Sequence, residues 1–383
     1  MRIFNLFQLR QMKHNFFTTF FIFQFAIISI CVGQSENNIK KYSIRSVNSE
    51  TSFPDSDWMA IDHPEQLGWP VQKLDSFRSY IIDSSVVTGL MIIHKGKIVF
   101  QYGDIAEVSY IASCRKSILA ILYGEHIKSG EIHLNSTLKE LGIDDIGGLL
   151  PVEKDATVQD ILSARSGVFH PASYSGDFLE YAPKRGSVKH GEYWLYSNWD
   201  FNLAGYIFEK QTHRNIYDEV DRMLAKPLHM QDWNRAQQFK EGDTSRSIYL
   251  AYPMNFSTRD MARIGLLMLN NGRWKNNQVI DSEWVKEMIK PRTSFEEVNK
   301  HIPPFRDSKD YTPGYGYLWW LWQNVADERL KGGYSAMGKY GQSITVFPAE
   351  SVVIVVKTKD IYERENKMLG LVKIVKLAAL LHN

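Results

Sequence analysis

Two groups of β-rich runs stand near opposite ends of this 383-residue chain, and the stretch between them has a different period. The first group, "GLMIIHKGKIVFQYG" (89–103), is a pair of apolar runs around Lys95-Gly96, the signature of a hairpin. The second comprises "YGYLWWLW" (315–322), "GGYSAMGKYG" (332–341), "QSITVFP" (342–348) and "SVVIVVKTK" (351–359). Its last two runs read as a hairpin around Ala349-Glu350. A lone hairpin is marginal in water, so both groups need partners. The economical packing joins them in one antiparallel sheet covered by helices. Helical spacing supplies these in "LDSFRSYIIDS" (74–84) and "MLGLVKIVKLAALL" (368–381). The expected class is α/β of the α+β kind, an antiparallel sheet flanked by helices plus a mostly helical lobe.

That second lobe is residues 113–310, set against a sheet lobe of 57–112 and 311–383. A helix runs from Ser113 to near Gly130. "EIHLNSTLKELG" follows as a turn with a short helix. "DMARIGLLMLNNG" (260–272) is an amphipathic helix ending in Asn-Gly, and "DSEWVKEMIKP" (281–291) is another, closed by Pro291. The helix at Ser113 lies where the chain crosses between lobes, so it borders a cleft. No internal repeat or low-complexity tract interrupts the pattern.

The first 33 residues read differently. Arg2, Arg10 and Lys13 precede the uncharged, apolar "FFTTFFIFQFAIISICVG", a secretory signal with Gly33 as the small residue before cleavage; an uncleaved membrane anchor is the alternative. Residues 34–56 are polar and aperiodic, a flexible lead-in, with order expected from Trp58. The signal implies a periplasmic or secreted protein. Removing it leaves Cys114 as the one cysteine of two, which excludes an intramolecular disulfide and a cysteine-cluster metal site. A net charge of +2 without a basic run argues against nucleic acid as a partner.

The chemistry starts at "SCRKSILAILYG" (113–124). Ser113 and Lys116 are three apart, hence neighbours on one helix face. A serine hydroxyl is a weak nucleophile until a base takes its proton, and a buried lysine amine is such a base. At a helix N-terminus the free backbone N–H groups would also stabilise an oxyanion. The spacing alone is weak, because Ser136 and Lys139 in "NSTLKE" repeat it in what reads as a capped surface helix. Taken singly, Ser113 is equally an N-cap beside a solvated lysine. Two further elements change the weighing. In "GEYWLYSNWDFN", Tyr196 offers a phenol as proton shuttle and Asn198 an amide for a substrate carbonyl. In "AMGKYGQ" (336–342), a small-residue strand can offer a backbone N–H as second oxyanion donor.

The order Ser-x-x-Lys, Tyr-x-Asn, Gly-bearing strand resembles the class C β-lactamase-like serine hydrolases. These include β-lactamases, D-alanyl-D-alanine carboxypeptidases, esterases and 6-aminohexanoate-dimer hydrolases. The likeness runs from about Trp58 to the end, through "ILSARSGV" (161–168), "FSTRDMARIGLLMLNNGRW" (256–274) and "GYGYLWW" (314–320), and looks closest to the 6-aminohexanoate-dimer hydrolase and esterase branch. It implies a β-lactamase/transpeptidase-like fold and hydrolysis through an acyl-enzyme, without a cofactor. Ser113 would be the nucleophile, Lys116 its activating amine, Tyr196 the partner base and leaving-group acid, and Asn198 the supporting amide. The family's Lys-Thr-Gly triplet is missing. Either Lys339-Tyr340-Gly341 or Ala336-Met337-Gly338 stands in its place, with Gly338 or Lys339 giving the second oxyanion N–H. The triplet binds the β-lactam carboxylate, so small esters, amides or peptide-like substrates lacking it fit better than penicillins. His170 and Tyr174 are expected to line the cleft mouth. Cys114 points away from the Ser113 direction and reads as packing. No Gly-x-Ser-x-Gly elbow, zinc motif or phosphate loop is present.

Overall fold

The computed structural model describes residues 51–174, 178–301, 311–359 and 365–383. The expected signal, residues 1–33, and most of the polar lead-in expected over 34–56 lie outside the described residues. Packing begins earlier than the expected Trp58. The Ser52 N–H donates to the Lys95 carbonyl, Phe53 meets the Trp274 ring edge-on at 5.2 Å, and Pro54 is buried.

The elements that position the site are, in chain order, helix α1 (Val71–Ser84), strands β1 (Gly89–His94) and β2 (Lys97–Gly103), and helices α2 (Cys114–Ser129), α3 (Asn198–Thr212) and α4 (Thr258–Leu269). Strands β3 (Tyr311–Tyr315), β4 (Trp320–Val325), β5 (Tyr334–Gly338), β6 (Gln342–Phe347) and β7 (Val352–Lys357) follow, then helix α5 (Met368–Ala379). The seven strands form one antiparallel sheet in the order β2-β1-β7-β6-β5-β4-β3. β1 pairs directly with β7, from Gly89 opposite Lys357 to His94 opposite Val352, so the two ends of the chain share one sheet as expected. The first hairpin turns at Lys95 (φ 49°) and Gly96 (φ 81°), the two left-handed positions that a tight two-residue loop requires.

Strands β1, β6 and β7 are buried at every position, which means both faces of the sheet are covered. α1 and α5 pack on one another, and α5 on β6 and β7. α4 crosses β1, β6 and β7. It approaches so closely at Gly265 that a Cβ there would stand 2.4 Å from Val353 Cγ1. This corrects the expected division of the chain: residues 258–269 belong to the sheet layer and not to the helical lobe, because the apolar stripe of α4 finds its partner in the sheet.

Two local readings also differ. "YGYLWWLW" is not one strand but the end of β3, a reversal with Leu318 at φ 60°, and the start of β4. No helix forms over residues 131–142. Instead the Thr137 N–H donates to Glu140 Oε2 at 2.8 Å and the Glu140 N–H to Thr137 Oγ1 at 3.1 Å, closing a turn. Among the described residues no helix is long and apolar enough to cross a membrane.

Candidate active site

Helix α2 is buried along nearly all its length and gripped from several sides. Trp284 Nε1 donates to the Ala120 carbonyl at 2.8 Å, and its indole lies against Gly124, where a Cβ would come within 2.4 Å of the ring. Ser117 Oγ donates to the Leu318 carbonyl at 2.5 Å and Tyr123 Oη to the Ala204 carbonyl at 2.7 Å. Gly130, at φ 81°, closes the helix in the left-handed conformation that glycine adopts freely. A helix held this firmly fixes the position of its first turn.

Ser113 occupies the N-cap position of α2, but its side chain makes no capping hydrogen bond. Lys116 Nζ donates to Ser113 Oγ at 2.7 Å instead. Lys116 is 2% exposed, so the solvated lysine of the capping interpretation is not what the fold contains. Its ammonium group also donates to Tyr196 Oη at 2.8 Å and lies 4.4 Å and 4.6 Å from the ring centroids of Tyr196 and Phe201. Ser113 is half-buried, so part of the residue is open to solvent. Tyr196 precedes α3. Its ring stacks on Trp320 at the start of β4, with centroids 5.4 Å apart and planes at 23°, and meets Phe201 edge-on at 4.7 Å. Burial pushes the Tyr196 phenol well above its usual range, while a hydrogen bond with Ser113 and the charge of Arg115 pull the other way. The fold thus brings the phenol of Tyr196, 80 residues away from Lys116 in sequence, onto a hydroxyl and an amine that share one helix turn.

The backbone around Ser113 is unusual too. Ala112 sits at φ 49°, a left-handed conformation that costs a non-glycine residue free energy and aims the next side chain. The Ser113 N–H donates to no backbone carbonyl among the described residues. β5 ends against it at Gly338. A Cβ there would lie 2.6 Å from the Ile111 carbonyl oxygen and 2.9 Å from Ser113 N, so only glycine permits the approach. Of the two sequence registers, the one with Ala336-Met337-Gly338 runs beside Ser113. Lys339-Tyr340-Gly341 forms the turn beyond, with Tyr340 at φ 69° and Gly341 against Asn366. The Lys339 side chain is exposed and lies over the Tyr340 ring at 5.0 Å.

Other expected residues fall out differently. Asn198 is buried at the start of α3, two residues after Tyr196. Tyr174 is half-buried, and burial raises its phenol above the usual range, with Tyr110 and Glu241 adding to the shift through charge and hydrogen bonds. His170 is not at a cleft mouth. It is 4% exposed, with its ring nitrogens 2.9 Å from the Pro171 and Ile146 carbonyl oxygens and Nδ1 3.5 Å from Asp145 Oδ2. Asp145 also accepts from Trp199 Nε1 at 2.7 Å and Ser247 Oγ at 2.5 Å, so His170 is one tie in a buried polar knot. Cys114 is fully buried, and burial pushes its thiol up, away from thiolate chemistry. Sequence reasoning passed over Arg115, a buried cation beside the pair. Its neighbours in the motif signal chemistry, but nothing in one sequence says that position 115 faces inward.

A family model described as Beta-lactamase matches residues 85–373. No curated protein matches the chain. Among solved structures, a putative 6-aminohexanoate-dimer hydrolase from Bacillus anthracis superposes with a TM-score of 0.58 at 17% identity, covering 87% of this chain and 86% of that one. A penicillin binding protein from Bacillus halodurans gives 0.55 at 14% identity over 78% and 98% of the two chains. Unliganded simvastatin synthase from Aspergillus terreus gives 0.59 at 14% identity over 81% and 97%. At these identities the likeness speaks for the fold.

Proposed function

The chain belongs to the beta-lactamase family, and on that premise we propose that it is an exported serine hydrolase that cleaves a small ester or amide through an acyl-enzyme on Ser113. The observation that carries this reading is the buried Lys116 ammonium group, hydrogen-bonded at once to Ser113 Oγ and Tyr196 Oη. In the reactive state the pair holds one proton fewer. Ser113 Oγ attacks the substrate carbonyl and its proton passes to the Lys116–Tyr196 pair. The tetrahedral intermediate collapses as that proton moves to the leaving alcohol or amine. Water, deprotonated by the same pair, then attacks the acyl carbonyl; the acyl–Oγ bond breaks as that proton passes from the pair to Ser113 Oγ, which frees the acid and restores the hydroxyl. The Ser113 N–H at the head of α2 and a strand N–H next to Gly338 are the donors for the oxyanion. Asn198 is the supporting amide.

Ala336 and Met337 occupy the strand beside Ser113, and neither offers a hydroxyl or a cation to a substrate carboxylate. Neutral acyl groups therefore fit this site better than β-lactams. Tyr174, half-buried in the loop that follows His170, is read as a residue of the substrate cleft. We read residues 1–33 as the export signal that delivers the enzyme to the periplasm or beyond.

A panel of short-chain nitrophenyl esters, simple amides and a penicillin tests the reading with wild type and Ser113→Ala. Ester or amide turnover that vanishes in Ser113→Ala supports it. Turnover of penicillin alone would assign the chain to β-lactam or peptidoglycan chemistry instead. Absence of turnover and of covalent labelling would leave a binding protein on the same fold.

A further inference from the structure

Arg115 lies between nucleophile and lysine in sequence, yet the steps above give it no part. It is a cation only 2% exposed. Nη2 donates to Asn202 Oδ1 on α3 at 3.1 Å, the guanidinium carbon stands 4.2 Å from the Tyr252 ring centroid, and Nη1 is buried without a hydrogen-bond partner. A neutral amide and an aromatic face thus take the place that a carboxylate would hold beside most buried arginines. Such a charge is costly to bury, and an apolar side chain would fill the site at lower cost. The aromatic face leads to the catalytic pair. Tyr252 Oη donates to the Phe201 carbonyl at 3.1 Å, and the Phe201 ring packs on both Tyr196 and the Lys116 ammonium.

We propose that Arg115 is a positioning residue of the catalytic pair: its fixed charge, behind the Tyr252 and Phe201 rings that back Lys116 and Tyr196, disfavours the proton on both and keeps a base available near neutral pH. In a dry interior such a charge acts over several ångströms with little screening. The inference rests on the reading of Ser113, Lys116 and Tyr196 as the catalytic set. The other titratable groups around them do not cancel the charge. Cys114, Tyr217, Tyr252 and Tyr315 are all pushed by burial toward their neutral forms. Asp200, which accepts from Ser166 Oγ at 2.7 Å, is likewise pushed by burial toward the neutral carboxyl. Lys357 faces Cys114 from β7 and adds a charge of the same sign as Arg115.

The rate of fluorophosphonate labelling of the full chain, followed from pH 5 to 9, tests this without a known substrate. In Arg115→Gln the acid limb moves up by about one pH unit, so labelling below it slows about tenfold while the plateau survives. Arg115→Lys keeps the charge and the limb of wild type. Asn202→Asp leaves the guanidinium and its packing in place but sets a counter-charge on it, and its limb moves up as well; this variant decides the matter if Arg115→Gln does not fold. A merely structural arginine would lower the rate equally at every pH. Labelling with an unmoved limb in Asn202→Asp or in folded Arg115→Gln overturns this inference alone. No labelling of wild type overturns the proposed function and this inference with it.

Discussion

The chain contains the spacing Ser-x-x-Lys in two places within one stretch, and the fold treats them in opposite ways. Ser113 and Lys116 stand at the head of a buried helix, with the lysine 2% exposed and bonded to a hydroxyl and a phenol. Ser136 and Lys139 lie in a surface turn where Lys139 is exposed and the local bonds run between Thr137 and Glu140. An exposed lysine such as Lys139 stays in water. A buried one gives up its proton more readily. Spacing brings two side chains within reach, but burial and a third partner are what set the contact at Ser113 apart.

The comparison breaks most simply by substitution. Ser113→Ala and Lys116→Ala each lower kcat/KM by about a thousandfold or more, whereas Ser136→Ala and Lys139→Ala leave it at the wild-type level. Steady-state kinetics on any accepted ester reads both. Equal losses at the two pairs would show that spacing alone matters. Tyr196→Phe comes next. It keeps the stack on Trp320 but removes the phenol hydroxyl, and kcat falls by about 10²–10⁴ with little change in melting temperature.

Much of this contrast was readable from the residues. The hairpin at Lys95-Gly96 rests on local turn chemistry, the shared sheet on the need of both strand groups for partners, and the weight of the Ser-x-x-Lys, Tyr-x-Asn order on a family resemblance. What stayed hidden was set by packing at a distance. Eight apolar and aromatic residues from Tyr315 to Trp322 carry no period, so the reversal at Leu318 left no mark. α4 has the stripe of any amphipathic helix, and only Gly265 hints that it meets a sheet closely. The expectation of His170 at a cleft mouth fails because its partners Ile146 and Asp145 come from a segment that sequence order does not connect to it. Arg115 shows the same limit, since inward and outward arginines look alike in one sequence.

Two smaller effects sharpen the contrast. Gly338→Val adds a Cβ that would stand 2.6 Å from the Ile111 carbonyl oxygen and 2.9 Å from Ser113 N. The strand must move back, costing about 1–3 kcal/mol of stability and about tenfold to a hundredfold in kcat. Thermal melting and kinetics follow each effect. Lys357 offers a third lysine, buried like Lys116 but held by the carbonyl oxygens of Glu107, Ser109 and Phe256. Burial lowers its pKa from 10.5 to about 8. Between those values the unfolded chain binds more protons than the folded one, so this group makes stability rise with pH across that window and leaves it unchanged below. Lys357→Met loses that rise. Melting curves from pH 7.5 to 10.5 then show wild type gaining a few degrees on the variant, the size expected of a change of about 3 kcal/mol.

The central claim is an acyl-enzyme at one serine of the two. Intact-mass measurement after a fluorophosphonate or a slow ester, followed by peptide mapping, addresses it directly. One adduct on the peptide containing Ser113, lost in Ser113→Ala and kept in Ser136→Ala, is the expected result. A protein that carries no adduct while still turning over substrate, or an adduct on any other residue that survives Ser113→Ala, would contradict it.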